Sequence, residues 1–200
     1  MTPRPALAAA LAALLTLTGG CSVSTSSPRD DDRASTPASR DDERVLLDLS
    51  DGLTREEAGI APGEATASWS HPGGRTVDAT VVLGPGVAVR RDATLVAVSG
   101  DSVVDPEAEP TSVELIRRVD GVDEARDELE RAVDEVGIPA DEVADWADQA
   151  SAAVAADDPV SYQTRVFRGT DVDGIGVEVE AALAVDGPRV SVRYVFTLPG

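Results

Sequence analysis

The side chains that could do chemistry in this 200-residue chain are unevenly supplied. There is one histidine and one cysteine, and no lysine: all 17 basic residues are arginine, against 37 acidic residues. His71 lies in a Ser-His-Pro-Gly-Gly segment, whose composition is typical of a loop. A zinc site needs several His or Cys ligands, and a serine triad built on His71 would need a Gly-x-Ser-x-Gly turn, which the chain lacks. We therefore interpret His71 as a loop histidine and predict no catalytic residue and no metal site.

Short segments of the sequence match only part of two kinds of ligand-binding loop, the calcium loop and the glycine-rich nucleotide loop. Residues 171–174, Asp-Val-Asp-Gly, begin like a calcium loop, but its fifth and twelfth positions hold Ile175 and Ala182, which offer no side-chain oxygen. This segment is therefore predicted to be a turn between strands. Without lysine there is no P-loop, and Gly84-Pro85-Gly86 and Gly174-Ile175-Gly176 lack the third glycine and the following helix of a dinucleotide loop. The sequence predicts no cofactor.

Acidic residues are concentrated between Asp101 and Asp148, which contains 17 of them and four arginines. We interpret this section as the solvated outer face of helices. The alternatives are a docking surface for a basic protein partner or a surface that binds divalent cations. A pair of carboxylates at glycosidase spacing is also open, because that spacing is spatial. The net charge of −20 would repel phosphate backbones, which argues against nucleic-acid binding.

The N-terminus indicates where the protein resides. Arg4 precedes an apolar run from Ala6 to Leu17. At about 1.5 Å per residue this run spans roughly 18 Å, well short of the roughly 30 Å of a bilayer core. It therefore predicts the apolar region of a secretory signal peptide and not a membrane-spanning helix.

The end of this signal resembles the processing site of bacterial lipoproteins. Gly19, Gly20 and Cys21 match that pattern, and Thr18 stands where Leu or Val is usual. The resemblance implies that Cys21 receives a diacylglycerol thioether and becomes the mature N-terminus. Fatty chains such as palmitate would then anchor the protein to the outer face of the cell membrane. Arginine without lysine, with much Ala, Val and Asp, looks like actinobacterial usage; a salt-adapted host is the alternative.

The remainder divides into a linker and one domain. Residues 1–20 are the predicted signal peptide. Residues 21–44 are a lipid-anchored linker of Ser, Thr, Pro, Asp and Arg, which is expected to be disordered because it holds too little apolar surface to fold. Residues 45–200 are predicted to form a single α+β globular domain. With Cys21 committed to lipid, that domain has no disulfide.

Hydrophobic periodicity assigns the elements of this domain. Capping-box spacing at Thr54–Glu57 and Thr111–Glu114 predicts one helical turn and the start of a helix through Leu115 and Ile116. Stripes at helical spacing predict a helix over 122–136 that ends at Gly137, and a second from Pro139 to Val154. The strands are predicted at Val45–Leu49, Ala65–Ser70, Thr76–Leu83, Val87–Arg91, Thr94–Ser99, Val160–Arg168, Val177–Val185 and Val190–Leu198.

The predicted fold class is α+β: an antiparallel β-sheet with an α-helical hairpin packed on one face. Most aromatic residues are expected in its core and not on a sugar-binding platform: Trp69, Trp146, Tyr162, Phe167, Tyr194 and Phe196. The leading functional prediction is a lipid-anchored cell-envelope protein that acts as a non-enzymatic binding or accessory module. The alternatives are a carrier of an apolar ligand between sheet and helices, and a carboxylate-dependent hydrolase acting on wall polysaccharide.

Overall fold

The computed structural model describes residues 44–100, 107–156, 164–184 and 187–199. They form nine strands and two helices, which follow one another as β1 (Arg44–Asp48), β2 (Thr66–Trp69), β3 (Val77–Gly84), β4 (Val87–Ala93), β5 (Leu95–Gly100), β6 (Pro110–Val119), α1 (Val122–Val136), α2 (Ala140–Ala155), β7 (Thr164–Arg168), β8 (Gly176–Leu183) and β9 (Val190–Thr197). The α+β class is confirmed.

The strands form two sheets, where the sequence predicted one antiparallel sheet. Six strands pair in the order β2-β5-β6-β9-β8-β7, all antiparallel, and three pair in the order β1-β3-β4 with β1 parallel to β3. The chain passes from the small sheet to the large one at Thr94, between β4 and β5. There the Thr94 backbone N–H and hydroxyl both donate to the carbonyl oxygen of Ile116, at 2.7 and 2.8 Å. Periodicity could not distinguish one sheet from two, because it assigns inward faces and not partners.

The helical hairpin is confirmed and lies against the six-stranded sheet, with α1 over β8 and β9 and α2 beside β7. The apolar stripe of α1 is buried as predicted, and Gly137 ends the helix in the left-handed conformation, with φ of 68°. Its N–H donates to the Val133 carbonyl, which satisfies an otherwise unpaired helix-end group. In α2, Trp146 and its apolar neighbours are buried, whereas Val154 is 41% exposed and lies beyond the packed face.

The predicted helix at residues 111–116 is wrong, because this segment is the middle of strand β6. Val113 and Leu115 are buried, and Glu114 and Ile116, which alternate with them, are half-buried, so the period is two. Strands β5 and β9 pair with β6 on its two sides. These two ladders override a local capping signal that is worth at most about 2 kcal/mol.

Elsewhere, one capping box and the burial of four aromatic residues follow the predictions. At Thr54–Glu57 the capping box forms, with the Thr54 N–H donating to Glu57 at 3.0 Å and the Glu57 N–H to the Thr54 hydroxyl at 3.3 Å. Full burial is confirmed for Trp146, Phe167, Tyr194 and Phe196.

Several predictions fall outside the described residues. These are the signal peptide, Cys21 with its lipid, the linker up to residue 43, and Tyr162. In the part of the chain that is described, neither helix has the length and apolar character needed to cross a bilayer.

Candidate functional site

A carboxylate is buried at the centre of the molecule. Glu128 on α1 has 0% exposure, although it belongs to the acidic section that the sequence assigned to solvent. Arg91 on β4 forms an ion pair with its Oε1 atom, and the Tyr194 hydroxyl on β9 donates to the same oxygen at 2.8 Å. The second oxygen, Oε2, lies 3.0 Å from Arg131 and 3.5 Å from Arg117. It accepts no hydrogen bond of good geometry, so the nearby positive charges compensate it.

The same contacts hold Arg91 in a fixed position. Its side chain is 1% exposed, and its Nε and Nη2 atoms donate to the Tyr194 hydroxyl at 3.0 and 2.9 Å. Nη2 also lies 2.8 Å from Glu135, and the guanidinium carbon is 4.8 Å from the centre of the Tyr194 ring, a cation–π contact. Burial disfavours the charge on Arg91, but Tyr194, Glu135 and Glu128 outweigh burial and raise its pKa. We define Arg91, Glu128 and Tyr194 as the buried triad.

The buried triad is enclosed, so its chemistry is structural. It connects one residue of α1 to one residue from each sheet, and the side chains of Arg91 and Glu128 are 1% and 0% exposed. A small hollow of about 170 Å³ beside it is lined by Arg91 together with Arg117 and Arg131. The sequence carried a signal for both charged members. Glu128 lies three residues after Ala125 and four before Ala132 on the apolar stripe, and Arg91 has the parity of the buried Val89 and Ala93.

A large open cavity lies elsewhere, beside the edge strand β2. This groove, of about 1150 Å³, runs along residues 64–72 and reaches the start of β1 and β3. Val45 and Val77 contribute to its floor, and Trp69 is half-buried, packing on the core while also lining the groove. Trp69 therefore departs from the predicted core position. We define this cavity as the β2 groove; its polar walls carry Glu64, Thr66, Ser68, Ser70, His71 and Arg75.

The open edge of β2 adds backbone hydrogen-bonding groups near this groove. Within the described residues β2 pairs with β5 alone, and the Ala65 carbonyl accepts from the Gly100 N–H at 3.2 Å. Bonding alternates along an antiparallel pair, so the N–H and C=O groups of Thr66 and Ser68 face away from β5. The side-chain hydroxyls of these two residues form no hydrogen bond to any other described group.

His71 is a loop residue, as predicted, and the structure places it where the β2 groove meets a second hollow. That hollow, of about 500 Å³, also contains Asp78 and Asp92, which are directly paired across β3 and β4. Opposed residues in a sheet have Cβ atoms about 5 Å apart, which suits a retaining glycosidase. However, Asp78 is half-exposed and lies 3.2 Å from Arg44, and Asp92 is exposed. The pair is open to water and does not lie in an enclosed cleft.

The remaining candidate sites of the sequence are the segment 171–174, a possible metal site and the acidic helices. Residues 171–174 form a turn between β7 and β8, with Asp173 in the left-handed conformation. Within the described residues, no three His, Cys, Asp or Glu side chains converge well enough to hold a metal ion. The acidic helices expose most of their carboxylates to solvent. Two of these, Glu130 and Asp134, line a hollow of about 360 Å³ together with Val143.

In comparisons with known proteins, the chain is significantly similar to no protein-family model, no curated protein and no solved structure. Function must therefore be inferred from the side chains and surfaces described above.

Removal of the buried carboxylate is the most direct test of the buried triad. Glu128→Ala leaves the Arg91 charge buried without its main partner, so we expect the free energy of unfolding to fall by about 3–5 kcal/mol. Urea denaturation followed by circular dichroism measures this change. The control is Glu130→Ala, two residues further along α1, where the carboxylate is exposed and the expected change is within about 0.5 kcal/mol. Equal losses in the two variants would contradict a structural role for Glu128.

Tyrosine 194 should make the fold sensitive to alkali. Burial is the largest cause that raises its pKa well above the ordinary value; Arg91 lowers that pKa and Glu128 raises it further. The folded state therefore keeps a proton that the unfolded state loses above about pH 10. Stability should be fully present below that pH and fall above it by up to about 1.4 kcal/mol per pH unit. Denaturant titrations between pH 8 and 11.5 should show a weaker decline in Tyr194→Phe, and parallel curves for the two proteins would contradict this account.

Proposed function

We propose that this protein is a lipid-anchored module of the cell envelope that binds a ligand or partner without chemically changing it. Its location in the cell envelope is proposed from the predicted signal peptide and from the lipid expected on Cys21. The observation that carries the binding role is the β2 groove, which combines an apolar floor, a half-buried indole and free polar groups. Such a combination is characteristic of ligand sites in proteins.

The packing of the molecule favours this surface over an internal ligand chamber. Between the helices and the six-stranded sheet, the space is filled by fully buried side chains such as Leu129, Tyr194 and Phe196. An apolar carrier would need that space for its cargo. The hydrolase alternative has a carboxylate pair in Asp78 and Asp92, but both are open to water. A binding role requires neither an internal chamber nor a shielded acid.

The acidic helices are a second surface for the same class of function. Their exposed carboxylates would attract a basic protein partner over distances of about a Debye length. The β2 groove provides a concave surface as well as polar groups. We therefore propose the groove as the principal binding site, and the acidic helices, which would bind a basic partner, as the second site.

The proposed location can be tested at Cys21, the single cysteine of the chain. We expect mass spectrometry of the processed protein to find an N-terminal Cys21 carrying a diacylglyceryl thioether, and fractionation to find the protein with the membrane. Cys21→Ser should abolish both the modification and the membrane association, whereas Ser24→Ala, three residues away, should change neither. An unmodified Cys21 thiol, or wild-type protein in the cytosol, would contradict the proposed location.

The binding role can be tested by site-specific photo-crosslinking in intact cells. A photoreactive residue at Ser68, in the β2 groove, should give a reproducible adduct that is missing when the probe is at Thr197, an exposed position outside the groove. A third probe at Ala144, in the hollow between the helices, reports on a basic partner. Adducts at Ala144 alone would assign binding to the helices and refute the groove. Shortening of wall polysaccharide by the purified protein would instead favour the hydrolase.

A further inference from the structure

We propose that the β2 groove binds a neutral oligosaccharide, with Trp69 as the platform for one sugar ring. This inference rests on the proposed binding function and specifies its ligand class. The apolar face of a pyranose packs on an aromatic ring, while its hydroxyls need donors and acceptors around the ring edge. Indole, hydroxyl and imidazole groups are the side chains that this groove supplies.

The electrical character of the groove argues for a ligand without charge. In the whole chain 27% of residues are charged, and the net charge is −20. Among the thirteen residues that line the groove, Glu64 is the acidic residue and Arg75 the arginine, and their formal charges are opposite. An anionic polymer would be repelled by the surrounding surface, and a cationic ligand would meet a single carboxylate. A polyhydroxylated neutral ligand satisfies both constraints.

Free hydrogen-bonding groups flank Trp69 along the chain and line the same groove. Thr66 and Ser68 precede Trp69 on the strand, and Ser70 and His71 follow it. The hydroxyls of Thr66, Ser68 and Ser70 have no hydrogen-bond partner among the described residues. Each hydroxyl can both donate and accept, which matches the dual character of a sugar hydroxyl. Side chains alternate along β2, so the exposed Thr66 and Ser68 lie on the face opposite Ala67 and Trp69. Their hydroxyls can therefore contact a ligand that extends from the ring over the open strand edge.

An extended peptide would be the competing occupant, because it could add a strand to the open edge of β2. However, β2 has four residues, and Thr66 and Ser68 alone present backbone groups on the open side. Four backbone groups give little register or affinity to a strand addition. The groove provides more contacts to a ligand that binds through side chains than to one that binds through backbone groups.

The decisive experiment uses the full-length protein solubilised in detergent. Trp69 and Trp146 are its two tryptophans, and the buried Trp146 is shielded from a soluble quencher. Acrylamide quenching of the fluorescence therefore reports mainly on Trp69. The probes are neutral hexasaccharides of glucose, mannose, galactose and arabinose, with hexagalacturonate as the anionic comparison. We expect at least one neutral probe to protect Trp69 from quenching, and the anionic probe to have no effect.

Variants assign this binding to the indole. Calorimetry should show that Trp69→Ala weakens binding of the same hexasaccharide by about tenfold or more, and that Trp69→Phe, which keeps an aromatic face, weakens it less. The matched control is Leu46→Ala, which removes a 50% exposed apolar side chain that does not line the groove. It should leave binding unchanged, and the circular dichroism of every variant should match the wild type.

Four results would overturn the proposal. They are no binding of any neutral probe at millimolar concentration, tighter binding of hexagalacturonate, affinity that is unchanged in Trp69→Ala, and protection of Trp69 by an alternating Val-Thr peptide but by no sugar. Failure of the sugar assignment is distinguishable from failure of the binding function. If the Ser68 probe forms adducts in cells while no sugar binds, the groove is a docking site for another class of ligand.

Discussion

The compensation of the Glu128 carboxylate is the constraint on which the rest of this fold depends. A carboxylate without exposure is costly unless opposite charges and hydrogen bonds replace water, and here the partners come from separate parts of the chain. Arg91 belongs to the small sheet, Tyr194 and Arg117 to the large sheet, and Glu128 to the first helix. Apolar packing alone tolerates small sliding movements between layers. A buried ion pair with a phenol bonded to both of its members tolerates far less, because each displacement leaves a charge without its partner.

That fixed junction explains how two sheets of different size remain one assembly. The chain turns from β4 into β5 at Thr94, whose N–H and hydroxyl donate to Ile116 of β6. Arg91, three residues before this turn, reaches from β4 to the helix and to β9. Strand β2 pairs along the other side of β5 as the edge strand of the large sheet, and its own outer edge is open. The β2 groove is thus a consequence of the same two-sheet arrangement that the triad stabilises.

Charge is distributed in accordance with these roles. The exposed carboxylates of the helices face solvent on one side of the large sheet, while the opposite side carries an ion-pair ladder in which Arg193 contacts Glu114 at 2.7 Å and Glu180 at 3.3 Å. Hydrogen bonding to Glu114 is the largest cause that raises the pKa of Arg193. Against this charged background the β2 groove is nearly neutral. An acidic exterior keeps the molecule apart from anionic surfaces, and a neutral groove leaves one region where an uncharged ligand can bind.

The sequence by itself determined the α+β class, both helices of the hairpin, the β8–β9 pair and the inward faces of most strands. Each of these follows from local periodicity, turn residues or caps, which act over a few neighbouring positions. It also placed His71 in a loop and residues 171–174 in a turn, and it left the N-terminal anchor as a prediction. The tertiary structure alone decided that residues 111–116 extend as a strand, that β1 runs parallel to β3, and that Glu128 is buried against Arg91. It alone also decided that Trp69 lines a groove. The physical reason is that these features depend on which distant segments become neighbours, and pairing free energy between them exceeds the local preferences that a sequence pattern records.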